Sequence, residues 1–246
     1  MKENIARIWM GLTALGSFAG LCISLAIAFQ PADAANMAHV GGNAPVEAFE
    51  HLWVRIMTVF SYFTIQSNII VIVTCTLLAF NFHRISDTFR GWRLMGLVAI
   101  TITGIVYNGY LAHLPGVNPQ GWSLVSTDLL HVYTPFMAVV GWLAFGPRSP
   151  FKMKYAWWLV AYAAAWVTYT LIRGAWIGWY PYPFVDAKEI GYPMVFVMVT
   201  IIGAIGFGFA VLGMWADKHL PEVIPNKNDP ASIDEKPGKP DATTPS

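Results

Sequence analysis

The sequence predicts an all-α membrane protein with six transmembrane helices and both termini in the cytoplasm. Three observations carry that expectation. First, 56% of the 246 residues are hydrophobic and only 12% are charged, whereas about a quarter of a soluble domain is charged. A soluble core of this length cannot hide so much apolar surface, so the surplus faces lipid. Second, six apolar runs can be read, each long enough to cross about 30 Å of hydrocarbon at about 1.5 Å per residue. Third, the basic residues are sorted to one side. Helices are the only reasonable spanning element, because nothing alternates with the period of two that a barrel requires.

The first run, Ile5–Phe29, follows the basic Lys2 and precedes Ala32-Asp33-Ala34, which looks like a signal-peptide cleavage site. Its apolar stretch is longer than the ~7–15 residues of a signal peptide, which favours a retained helix. The remaining runs are Trp53–Phe80, Met95–Ala112, Leu124–Phe145, Tyr155–Ile172 and Met194–Met214. With six spans, twelve of the fifteen basic residues fall on one side, leaving Arg55, Arg173 and Lys188 on the other. The positive-inside rule makes the richer side cytoplasmic, which implies a multi-pass protein of the cell membrane. Eleven Trp and ten Tyr suit a chain with two interfaces to line. The chain divides into a six-helix domain, 1–216, and a tail, 217–246, with six of the sixteen prolines and no Phe, Tyr or Trp. That composition reads as a disordered cytoplasmic tail.

Several function classes recede. A net charge of +1 gives no reason to expect a nucleic-acid partner. Cys22 and Cys75 have no companions at metal-ligand spacing, so neither a disulfide framework, a metal site nor a cofactor is called for. No internal repeat supports a transporter of duplicated halves.

Polar residues inside spans are costly and therefore mark candidate sites. The second run holds Ser61, Thr64, Gln66, Ser67 and Asn68. In an unbroken helix, Ser61, Thr64 and Asn68 share one face. Interhelical hydrogen bonding is the plainer reading of such a cluster. In the fourth run, Asp128 and His131 are three apart, so they share a face, and an Asp beside a His can fix its tautomer. Thr127 or Asp128 could instead cap the helix, and Pro135 is expected to disturb it. Asn108, His113 and Arg173 fall at a similar depth in the outer half. The expected object is a polar pocket open towards the outer leaflet. The loop Trp179-Tyr180-Pro181-Tyr182-Pro183-Phe184 either covers that pocket or lines the interface.

Phe63-Thr64-Ile65, His131 with Pro135 downstream, and Trp179, Tyr182, Pro183 and Phe184 occur in an order that resembles the androgen-induced-protein family of membrane proteins, its bacterial Pr-six-Pr branch most of all. The resemblance covers residues 50–215. It implies a multi-pass hydrolase with a membrane-embedded Thr and His, acting on fatty acid esters of hydroxy fatty acids or related lipids. Carried over, these are Thr64 and His131. The chemistry also follows from the residues. A Thr hydroxyl attacks once a base takes its proton, and His131 is that base with Asp128 as a possible orienter. Asn68, Asn108, Arg173 and Tyr182 are the substrate-binding candidates. Two rival readings are a non-catalytic membrane protein that binds a lipid or small molecule, and a haem-binding membrane cytochrome ligated by His113 and His131.

Overall fold

A computed structural model describes residues 1–30, 49–84, 86–148 and 150–224. Among them the only regular elements are helices: α1 (Lys2–Ala28), α2 (Leu52–Ser61), α3 (Phe63–Phe80), α4 (Asp87–Gly109), α5 (Gly121–Asp128), α6 (Thr134–Phe145), α7 (Met153–Ile177) and α8 (Gly191–His219). A five-residue π turn, Leu129–Tyr133, joins α5 to α6, and short 3-10 turns follow α4 and α7. α1 lies along α3, α3 along α4, and α4 also meets α6, α7 and α8.

Among the described residues, five helices are long and apolar enough to cross a membrane: α1, α3, α4 with its 3-10 extension, the α5–α6 rod, and α8. α7 is as long, at 25 residues, but carries four Trp and three Tyr. Those amphipathic rings lower its hydropathy below that of the other five.

The second apolar run differs from its expectation. It is not one helix but two, broken at Tyr62, whose ψ is 130°. Ser61, Thr64 and Asn68 therefore do not share a continuous helical face. Carbonyls freed at the break are met from outside: Gln66 Nε2 donates to Phe60 O at 3.0 Å, and Trp166 Nε1 donates to Ser61 O at 3.0 Å. The break leaves Thr64 in the first turn of α3 rather than mid-span.

Three arginines close helix C-termini, where carbonyls lack intrahelical donors and the dipole is negative. Arg55 Nε donates to Ala28 O at the end of α1, at 2.9 Å. Arg7 Nε donates to Ala79 O at the end of α3, at 2.8 Å. Arg148 donates to Trp142 O and Leu143 O at the end of α6, at 2.8 and 2.6 Å. Burial lowers the Arg148 guanidinium below its ordinary value, with nearby Asp217 opposing the shift.

The expected domain boundary falls inside α8, which continues to His219 with Asp217 buried. Ile224 packs with Met10, Leu78 and Trp142 in one core cluster. Ala32-Asp33-Ala34 and the tail from 225 to 246 lie outside the described residues.

Candidate active site

Thr64 opens α3, and its backbone N–H is one of the first-turn donors that a helix cannot satisfy itself. The Tyr182 hydroxyl accepts it at 3.2 Å. The same hydroxyl lies 3.2 Å from Thr64 Oγ1. His131 Nε2 also lies 3.2 Å from Thr64 Oγ1. The other ring nitrogen, Nδ1, is 3.0 Å from Thr127 O. A carbonyl can only accept, so Nδ1 carries the proton and Nε2 presents its lone pair to Thr64. One donor order then satisfies every member. Thr64 N–H donates to Tyr182, the Tyr182 hydroxyl to Thr64 Oγ1, the Thr64 hydroxyl to His131 Nε2, and His131 Nδ1–H to Thr127 O.

The π turn sets the position of His131. Thr134 N–H reaches back five residues to Leu129 O instead of four. Leu130 O thereby loses its α-helical donor. His131 O lacks one because Pro135 has no N–H. Two asparagines replace them: Asn68 Nδ2 donates to Leu130 O at 3.2 Å, and Asn108 Nδ2 donates to His131 O at 3.0 Å. Gly20 admits the turn against α1, since a Cβ there would stand 2.9 Å from the Leu130 side chain. The Tyr107 ring stacks on the His131 ring, with centroids 4.0 Å apart at 28°.

Thr64, His131 and Tyr182 line one cavity of about 560 Å³. Arg55, Tyr62, Tyr107, Leu130, Asp186 and Glu189 are among the other residues that line it. Tyr182 is buried, stacked on Phe184 with centroids 5.1 Å apart and braced by Tyr62 and Trp166. Burial raises its phenol above the ordinary value, against the pull of its bonds to Thr64, so the hydroxyl keeps its proton. Trp179 and Tyr180 are also buried, so this part of the loop packs inward rather than forming an aromatic belt.

Several sequence expectations need correction. Asp128 does not orient His131: it is exposed, and the orienting acceptor is the Thr127 carbonyl. Neither Thr127 nor Asp128 caps the helix, which begins at Gly121 behind Gln120. Asn68 does not face the cavity. It is fully buried, with Nδ2 donating to Thr64 O and Leu130 O while Oδ1 accepts from Ser17 Oγ. Asn108 likewise serves the backbone, donating to Gly104 O and His131 O. Arg173 is not among the cavity-lining residues; its guanidinium donates to Thr58 Oγ1 at 2.7 Å and lies over the Trp179 ring. A haem bond at His131 would require breaking one of the two hydrogen bonds its ring makes, and His113 Nε2 is spent on Asn108 O. Sequence reasoning missed Tyr107 and Arg55, whose places depend on tertiary contacts.

Comparisons with family models, with curated proteins and with solved structures found no match.

Proposed function

We propose that this chain is a six-span integral-membrane lipid ester hydrolase with both termini cytoplasmic, in which Thr64 is the nucleophile and His131 the base. α7 is the sixth span, since 25 residues reach about 37 Å. The reading is supported above all by Thr64 Oγ1 lying 3.2 Å from His131 Nε2, in a cavity wall, with Nδ1 committed to a backbone carbonyl. The resemblance of the Thr64, His131 and Tyr182–Phe184 segments to the androgen-induced-protein family agrees with it. Fatty acid esters of hydroxy fatty acids or related lipids are the proposed substrates, reaching the site from the outer leaflet.

In the proposed reaction, His131 Nε2 takes the hydroxyl proton as Thr64 Oγ1 attacks the ester carbonyl carbon. The carbonyl π electrons move to oxygen, giving a tetrahedral oxyanion. Tyr182 O–H, and the Thr64 N–H at the positive end of the α3 dipole, are placed to stabilise that charge. Collapse breaks the C–O bond to the alcohol, which leaves with the proton from His131. Water, deprotonated by His131, then attacks the acyl-threonine and releases the acid, returning the proton to Thr64.

Labelling of the purified protein with a fluorophosphonate probe tests this reading. Wild type should be labelled, and Thr64→Ala and His131→Ala should not be, each variant being checked by thermal unfolding to be folded at the labelling temperature. Labelling of Thr64→Ala equal to wild type would remove Thr64 as nucleophile. An unlabelled wild type that retains a lipid in the cavity would favour the binding-protein reading.

A further inference from the structure

Away from the Thr64 cavity, a second groove of about 370 Å³ runs between α3 and α4. Ile69, Val73 and Leu77 of α3 form its apolar wall, and Trp92 and Phe89 of α4 face them. Val73 is half exposed, so the groove is open on its lipid-facing side. Its end lies where α3 gives way to α4, and there the lining turns polar, with Arg84 and Thr88.

Arg84 is the unusual member. Its Nε is buried without a hydrogen-bond partner, and its guanidinium contacts the Phe89 ring at 6.0 Å. No carboxylate neutralises it among the described residues. Asp87 is the one acidic residue between 81 and 94, and its carboxylate is engaged by Lys152, Lys154 and Tyr155. Glu3 pairs with His83. A donor nitrogen shielded from water demands an acceptor, and a phosphate suits the planar fork of the half-buried Arg84. Beside that charge, an aliphatic channel parallel to the helices suits an acyl chain. Trp92 also lines the groove, and an indole suits a boundary between polar and apolar surroundings.

We propose that this groove binds one anionic phospholipid, its phosphate on Arg84 and one acyl chain along Ile69, Val73 and Leu77. The site stands independently of the chemistry at Thr64. Its occupant is held from the side of the bilayer that carries most of the basic residues, the opposite side from the Thr64 cavity. Basic pockets between membrane helices on that side are where anionic headgroups are held.

Native mass spectrometry of the detergent-purified chain, with an equimolar mixture of phosphatidylglycerol and phosphatidylcholine, tests the proposal. Wild type should retain phosphatidylglycerol in preference. Arg84→Gln should weaken that retention roughly fivefold, as expected for one basic residue at a lipid phosphate. Val73→Trp faces lipid, so it should fold; it should fill the channel and lower retention with Arg84 intact. Lys188→Gln, at the other face, should change nothing. Equal retention of the two lipids by wild type, an Arg84→Gln protein that binds as wild type does, or an equal loss in Lys188→Gln would each overturn the proposal.

Discussion

His131 takes its orientation from the Thr127 carbonyl, and that changes the outcome expected of Asp128→Asn. Were Asp128 the orienter, the amide would impose the wrong tautomer, with a loss of about 10⁴-fold. With a carbonyl as acceptor and Asp128 exposed, turnover of a lipid ester should stay within about twofold of wild type, as expected of a surface change remote from the reacting atoms. Tyr182→Phe is the opposite case. It keeps the ring stack on Phe184 and removes only the hydroxyl shared by Thr64 N–H and Oγ1. Loss of an oxyanion donor lowers kcat by about 10²–10³-fold. KM should move little, and stability should fall by about 1 kcal/mol for one hydrogen bond. Steady-state kinetics with denaturation curves separate the two. Thr64 and His131 were legible in the sequence because polar groups within apolar runs are costly. The roles of Asn68 and Asn108 were not. An amide that clamps a neighbouring helix and one that faces a ligand look identical along a chain, and only the diverted bonds of the π turn tell them apart.

Two helical irregularities build the site, and they differ in how far the sequence announces them. Pro135 marks a disturbance, since it must deprive His131 O of a donor. Its form, a π turn rather than a kink, depends on Asn68 and Asn108 arriving from α3 and α4. The break at Tyr62 has no local signal at all, because Ser61-Tyr62-Phe63-Thr64 contains neither Gly nor Pro. It rests on Trp166 and Gln66 satisfying the freed carbonyls. Asn68→Ala should therefore destabilise the chain by about 1–3 kcal/mol, because it leaves the buried Leu130 carbonyl of the π turn without its donor, whereas Thr64 O keeps Ser67 Oγ. Asn68→Asp, with an acceptor where the Leu130 carbonyl needs a donor, should do no better. Thermal unfolding in detergent measures both. Arg148→Ala should cost about 1–2 kcal/mol through the exposed end of α6, and Arg148→Lys should recover only part, because one ammonium replaces a fork that reaches two carbonyls.

At the scale of the whole molecule, composition was enough to read an all-helical chain with apolar spans. Counting those spans was harder. α7 carries its apolar character in indole and phenol rings, which hydropathy undervalues, and it packs Tyr155, Leu159 and Trp166 inward. If α7 spans, a reporter near Asn118 and one at the chain end should fall on opposite sides of the membrane. If it does not, they should fall on the same side, which a paired enzymatic reporter assay reads directly. The π turn also has a consequence for the rod in which it sits. One residue in a helix is worth about 100° of rotation, so an extra residue works as a phase shifter between α5 and α6. The two halves are clocked against each other, so α5 turns Ser126 to Gly20 of α1 while α6 turns Trp142 to Asp217 of α8. Straightening the rod by removing one residue would swing one half through slightly more than a right angle, and no side-chain substitution could bring both faces back at once.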